Sequence, residues 1–193
     1  MRLPVLETER LVVRLGAESE APRVLRYFDE NRDHLAPTDP VRPDGFYTEP
    51  YWRSQLARNA DDFLAGRSMR TFLFPRSEPH RVIGTANLSE IIRGCFHSCF
   101  LGYGIEAASE GRGLMHEALS ALIRHAFESL GLHRISANYL PHNVRSGRLL
   151  RRLGFAVDGY ARDYLLISGR WEDHVLTSLL NPAWQPPDAA TRP

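Results

Sequence analysis

A chain of 193 residues is long enough for one well-buried core and short for two. Its formal charge of +1 gives no global electrostatic pull toward nucleic acid, a membrane surface or a strongly acidic partner. All 24 basic residues are Arg, so Schiff-base chemistry and a lysine base are excluded outright. No apolar run reaches membrane-spanning length and the N-terminus shows no signal-peptide core, so a soluble cytoplasmic protein without a membrane partner is expected. Cys95 and Cys99 stand in an apolar stretch with no second ligand pair at zinc-like spacing, which predicts two reduced, packed thiols and no metal.

In chain order, Leu11 to Leu15 reads as a strand and Glu20 to Asn31 as a helix with Val24, Leu25 and Phe28 on one face. Leu35 to Pro50, with Pro37, Pro40, Pro43 and Gly45, is predicted to be a long ordered loop or lid, neither helix nor strand. Helical spacing returns from Tyr51 to Leu64 through Trp52, Leu56 and Phe63. Three strands follow, Thr71 to Phe74, Arg81 to Ile91 and Ser98 to Ile105. The clearest helix then carries an i, i+4 stripe of Leu114, Ala118, Leu122, Ala126 and Leu130, and Gly131 ends it. Arg134 to Tyr139 is a strand, Asn143 to Leu153 a short helix, and Phe155 to Ala161 and Tyr164 to Ser168 are further strands. Gly169-Arg170 turns the chain into Trp171 to Leu180, and the tail from Pro182 is expected to fray. The order β-α-α-β-β-β-α-β-α-β-β predicts a single α/β (α+β) domain over residues 1–193, built on a mostly antiparallel sheet.

Gly111 and Gly113 stand at the mouth of the long helix, where a glycine within the helix costs ~1 kcal/mol relative to Ala. Bare backbone there leaves the unpaired N–H groups of the first turn open to an anion, and a pyrophosphate fits. The glycines alone are equally well explained by a flexible connector. The P-loop pattern is absent, and so is the third glycine of a dinucleotide site. Further on, Asn143 is a natural N-cap with Ser146 inside the first turn, which by itself is only a capped helix.

Strand, glycine loop, long helix, strand and capped helix together resemble the GNAT acetyltransferases. Thr8-Glu9-Arg10-Leu11, Val82-Ile83-Gly84, Leu101-Gly102-Tyr103, Pro141-His142-Asn143 with Ser146, and Leu153-Gly154-Phe155 resemble the RimJ/RimL-type branch of that family. Ile92-Arg93-Gly94 with Phe96-His97, and Asp163 to Ile167 through Trp171, Asp173, His174 and on to Thr177, resemble its RimJ-type members, the ribosomal-protein-alanine N-acetyltransferases. The resemblance runs from Glu7 to about Trp184 and implies a mixed sheet with splayed central strands, helices on both faces and acetyl-CoA as cosubstrate.

By position, the N–H groups of Gly111, Arg112, Gly113, Leu114 and Met115 would then bind the pyrophosphate. The strand edge of Tyr103, Gly104 and Ile105 would pair with the pantetheine arm and stabilise an oxyanion, and Asn143 would hydrogen-bond the same arm. Ser146 would lie near the thioester sulfur and protonate the thiolate, because the helix position at which many GNAT enzymes carry a Tyr is here Leu150. Glu110 stands where the family usually has Gln or Arg, and it is expected to turn toward solvent because a carboxylate repels a pyrophosphate.

The implied reaction is direct attack of a neutral amine on the thioester in a ternary complex. An α-amino group with a pKa of about 8 needs only a modest base or a water chain. Asp163 and Glu90, near strand ends, are candidate bases, each also readable as a solvated surface carboxylate, with His97 and Tyr164 behind them. Arg145, Arg148, Arg151 and Arg152 crowd one short helix, either as a solvated face or with one of them, Arg148 for choice, on the 3′-phosphate of coenzyme A. The Pro-rich segment and the helix bearing Trp52 are expected to wall the acceptor groove, where Asp39, Asp44 and Glu49 would attract a cationic N-terminus. The implied acceptor is the N-terminal alanine of a ribosomal protein, with no direct nucleic-acid partner and a monomer or homodimer as the assembly. A small amine or antibiotic as acceptor stays open, as does a non-catalytic acyl-CoA-binding, ribosome-associated module. A Rossmann oxidoreductase is disfavoured by the missing strand–helix alternation.

Overall fold

In the computed structural model, which describes residues 3–186, apolar alternation along the strands sorts side chains onto the two faces of one eight-stranded sheet. The strands are β1 (Val5–Glu7), β2 (Leu11–Arg14), β3 (Met69–Pro75), β4 (Gly84–Ile92), β5 (Ser98–Ile105), β6 (Arg134–Tyr139), β7 (Ala156–Ile167) and β8 (Arg170–Leu180). They lie in the order β1-β2-β3-β4-β5-β6-β8-β7, and every pairing is antiparallel except that of β5 with β6.

On one face, Leu11 and Val13 of β2 and Met69 and Leu73 of β3 pack with Leu114, Ala118, Leu119 and Leu122 of α4 (Leu114–Glu128). On the other, Phe72 and Phe74 of β3 pack with Val24, Tyr27 and Phe28 of α1 (Ala21–Glu30) and with Trp52 and Leu56 of α3 (Glu49–Leu64). The rings of Phe28 and Trp52 stack at 4.6 Å and join those two helices. The expected mixed sheet with helices on both faces is therefore present.

The segment from Leu35 to Pro50 contains more regular structure than its prolines suggest. Its start belongs to α2 (Arg32–Leu35), followed by a 3-10 turn over Ala36–Thr38 and a bridge between Pro40 and Ile167. Helix α3 begins at Glu49, capped by the Thr48 hydroxyl, with Pro50 in the first turn where a missing N–H leaves no bond unmade. Three further differences come from strand pairing. Strand β1 exists through its register with β2, β4 starts at Gly84 rather than Arg81, and the two strands expected between Phe155 and Ser168 are one, β7, kinked between Ala161 and Leu165. Of the two thiols only Cys99 is packed, and Cys95 is exposed. Asn181 and Trp184, in a tail expected to fray, are held by bonds to the carbonyls of Leu132 and Gly131, and residues 187–193 lie outside the described part. No helix among the described residues is long and apolar enough to cross a membrane.

One pairing controls the centre of the sheet. Strands β5 and β6 are joined only through Ser98, Cys99 and Phe100 against Arg134, Ile135 and Ser136. Beyond that point β5 continues along β4 as far as Ile105, while β6 continues along β8 as far as Tyr139. Each strand is tied on its outer side, so a gap opens between them. Leu122, fully buried in the core beneath this sheet, supplies a check on the packing. Leu122→Ala is expected to lower the unfolding free energy in urea by about 3 kcal/mol, and a loss under about 1 kcal/mol would contradict the packing of α4.

Candidate active site

Between β5 and α4 the chain makes a 3-10 turn over Ala107–Ser109 and then passes through Gly111 and Gly113, at φ of 71° and 77°. A Cβ on Gly111 would meet nothing within 4 Å, so the left-handed backbone, rather than space, selects glycine there. Gly113 is the N-cap of α4 and carries no side chain that could bond the first-turn N–H groups. Those groups stay open at the positive end of the helix macrodipole.

Two residues brace this loop that sequence reading did not place at the site. The Arg10 guanidinium donates from Nε to Glu117 at 2.7 Å and from a terminal nitrogen to the Arg112 carbonyl at 2.9 Å. The Arg10 backbone N–H donates to the other Glu117 oxygen at 2.8 Å. Burial works against an ionised Glu117, yet hydrogen bonds from Thr8 and Arg10 together hold its carboxyl below the usual range. A bare carboxylate in the first turn of α4 would compete with an incoming phosphate, and Arg10 offsets it. Arg10 is part of the Thr8-Glu9-Arg10-Leu11 motif, which was the signal available in sequence.

Glu110 does not turn to open solvent. It pairs with Arg145 of α5 (Val144–Arg152), and its other oxygen lies 3.5 Å from Nε2 of His34. Its charge is thus offset by a cation from the opposite side of the mouth. Arg145 is committed there, whereas Arg148 is exposed and has no ion-pair partner among the described residues.

The gap itself offers backbone. The Glu106 N–H donates to the Ile83 carbonyl, which fixes the side of β5 that faces β4. Strand alternation then turns the N–H and C=O groups of Tyr103 and Ile105 into the gap and leaves those of Gly104 bonded to β4. His34 Nε2 meets the Ile105 carbonyl at 3.1 Å. Gly104 matters through its missing side chain, since a Cβ there would lie 3.5 Å from Leu35 and 3.8 Å from the Tyr27 hydroxyl. Gly84 is stricter, because a Cβ would come within 2.6 Å of the Gly104 carbonyl and push β5 away.

Across the gap, Asn143 caps α5 by accepting from the Ser146 N–H at 3.1 Å. The Ser146 hydroxyl lies 2.6 Å from that of Tyr103. Burial pushes the Tyr103 phenol up to about 12, although the bond to Ser146 opposes the shift. Tyr103, Gly104, Asn138, Asn143 and Ser146 line a cleft of about 690 Å³ whose other wall includes Tyr27, Asp39, Trp52 and His174. The Tyr27 hydroxyl and the Trp52 indole N–H are buried there without a hydrogen-bond partner among the described residues. Burial raises the carboxyl of Asp39, against the nearby Arg42.

Several expected residues are not brought to the cleft. Glu90 and Asp163 are exposed, at φ of 50° and 46°, where β4 and β7 lose their regular register. His97 packs its ring against Trp184 at 5.3 Å, and Tyr164 sits behind the cleft, accepting from Asn138. Asp39 lines the cleft, but Asp44 does not, and Glu49 pairs with Arg53. His174, missed in sequence, is buried in the cleft wall. Its Nδ1 is 2.9 Å from the Glu172 carbonyl, which can only accept, so Nδ1 donates there, and in a neutral ring Nε2 is the acceptor.

The chain in which this parted sheet, open helix N-terminus and capped helix meet belongs to the GNAT acetyltransferase family. Residues 10–156 match the acetyltransferase (GNAT) domain. The chain is 48% identical over 181 residues to the [ribosomal protein uS5]-alanine N-acetyltransferase of Escherichia coli K12, covering 94% of this chain and 93% of that one. The crystal structure of ribosomal-protein-S5-alanine acetyltransferase from Vibrio fischeri matches with a TM-score of 0.90 at 37% identity, over 95% of this chain and 100% of that one. Mycobacterium smegmatis RimJ in complex with CoA-disulfide, 24% identical over 92% of this chain and 85% of that one, shares the fold with a TM-score of 0.82.

Arg10→Gln is expected to raise the KM for acetyl-CoA about fivefold, or ~1 kcal/mol, with kcat nearly unchanged. An unchanged KM would show that the loop holds its shape without the brace. The same contact has a pH signature. Glu117 has a folded pKa below its unfolded value of 4.5, so its contribution is complete above that pH and is lost as pH falls through the folded value. Glu117→Gln should therefore flatten the acid limb of the Tm–pH curve, and an unaltered limb would contradict the brace.

Proposed function

We propose that the protein transfers the acetyl group of acetyl-CoA to the N-terminal amino group of a ribosomal protein, with alanine as the residue acetylated. The observation that carries this reading is the gap between β5 and β6, with the open N–H groups of α4 at its mouth and Ser146 on its far wall. The acceptor rests on likeness over nearly the whole chain to alanine N-acetyltransferases of uS5. A ribosomal acceptor places the reaction in the cytoplasm.

When bound, acetyl-CoA supplies the thioester that the amine attacks. The N–H groups of Gly111 to Met115 hold the pyrophosphate, and Arg148, exposed and without an ion-pair partner among the described residues, is a cation for the 3′-phosphate. Tyr103 and Ile105 present backbone to the pantetheine arm once His34 leaves the Ile105 carbonyl, and the Asn143 amide N–H₂ is free to join them. The Tyr103 N–H points into the gap and stabilises the oxyanion. Ser146 gives a proton to the leaving thiolate. His174 Nε2 takes a proton from the amine, a role for which the exposed Glu90 and Asp163 lie outside the cleft. Asp39 and its ion-pair partner Arg42 both line the cleft over an apolar floor of Phe28, Phe46 and Trp52, so an entering cationic N-terminus would compete with Arg42 for that carboxylate.

The thiols support direct transfer. Burial holds Cys99 up at about 12, and Cys95 does not line the cleft, so neither offers a thiolate for a covalent acetyl intermediate. Ser146→Ala is expected to lower kcat about 100-fold with little change in acetyl-CoA KM. In a panel of N-terminal peptides, polyamines and aminoglycosides, the Ala peptide should have the highest kcat/KM. Faster acetylation of a polyamine or aminoglycoside would overturn the acceptor, and binding of acetyl-CoA without any turnover would overturn the reaction.

A further inference from the structure

We propose that Tyr103 is a positioning residue for the thiolate-protonation step: its hydroxyl, 2.6 Å from that of Ser146, fixes the direction in which Ser146 gives its proton and then replaces that proton. The inference rests on the acetyl-transfer reading above and concerns the Tyr103 side chain, whereas that reading uses only the Tyr103 backbone.

A serine hydroxyl has one proton and two acceptor lone pairs. If Ser146 donated to Tyr103, no proton would remain for sulfur. If Tyr103 donates, the Ser146 proton is freed toward the cleft that both residues line. Neither hydroxyl has another hydrogen-bond partner among the described residues, so the pair is a closed donor–acceptor unit with one free proton. The Tyr103 phenol, pushed up to about 12 by burial, stays protonated and available as the donor at neutral pH.

The pair is also rigidly held. Asn143 fixes the Ser146 backbone at 3.1 Å. Tyr139 lies so close to Gly147 that a Cβ there would come within 2.9 Å of the ring, and this contact limits the approach of α5 to β6. Helix α5 itself brings no phenol, because Leu150 is sealed in the core. The phenol comes instead from β5, on the opposite side of the gap.

As the C–S bond breaks, its electron pair goes to sulfur, and the S–H bond forms with the Ser146 proton. The Tyr103 proton moves to the Ser146 oxygen, so the transient charge rests on a phenolate rather than on a far more basic alkoxide. Water returns a proton to Tyr103 after the thiol leaves.

The test is steady-state kinetics on the full chain with acetyl-CoA and an Ala-initiated peptide, comparing wild type, Tyr103→Phe, Ser146→Ala and the double variant. Tyr103→Phe should lower kcat about tenfold with acetyl-CoA KM within about twofold, and the double variant should be no slower than Ser146→Ala alone. Unchanged kcat in Tyr103→Phe, or a double variant slowed by the product of the two single effects, would overturn the inference, since either result means that Tyr103 does not act through Ser146. If the phenylalanine variant unfolds, 3-fluorotyrosine at position 103 keeps the donor in place. Near-wild-type kcat is then expected, and a tenfold loss counts against the inference. Failure of the wild type to acetylate any amine would instead remove the acetyl-transfer reading, and this inference with it.

Discussion

Strand β5 is bonded to β4 along its length but to β6 over only three residues, and the site depends on that shortfall. A strand edge inside a protein presents N–H and C=O groups that need partners. Here β6 is drawn away by β8, which leaves Tyr103 and Ile105 with backbone turned into a gap. One of those groups, the Ile105 carbonyl, is met by a side chain, His34. A ligand with its own amide groups can satisfy the same edge, as a missing strand would, and the alternation of β5 decides which residues can bond it.

The rest of the cleft is set by what stands at the ends of that gap. At the mouth, recognition of the phosphates falls to backbone N–H groups, because Gly111 and Gly113 bring none of their own chemistry beyond a left-handed turn. Charge is balanced around them rather than concentrated on them. Arg10 offsets Glu117 and Arg145 offsets Glu110, so the two carboxylates nearest the loop are both neutralised by partners drawn from elsewhere in the fold. The Glu110 and Arg145 side chains are partly exposed, and their pairing counts for charge balance more than for stability. At the inner end, Ser146 is held by its backbone on one side and by a phenol on the other, which is the preorganisation that proton transfer needs.

What could be read in the sequence was what is local. The stripe on α4 and the cap at Asn143 depend on neighbours three or four residues away, and both stand where periodicity and capping rules put them. Gly84 came to attention only as part of a family motif, and its reason lies in a carbonyl of the next strand. The contacts that build the site span long separations. Arg10 reaches residues 112 and 117, and Tyr103 reaches 146. Closeness to a strand end did not tell which way Glu90 and Asp163 point, because each sits at a kink with positive φ that turns it outward. The prolines between Leu35 and Pro50 were read as helix breakers, yet first-turn and 3-10 positions accept them. His174 stood in the sequence only as part of a family motif, and its pairing with Ala161 of β7 goes with its place in the cleft wall.

The parted strands can be examined amide by amide. Hydrogen exchange, resolved by NMR with and without acetyl-CoA, reads the bonding of each N–H in the gap directly. The expected result is slowed exchange at Tyr103, Ile105 and the Gly111 to Met115 N–H groups together, with little change at Gly102 and Gly104, whose N–H groups already bond β4. Protection that misses Tyr103 and Ile105, or that falls on Gly102 and Gly104 instead, would contradict a cofactor arm paired in the gap between β5 and β6.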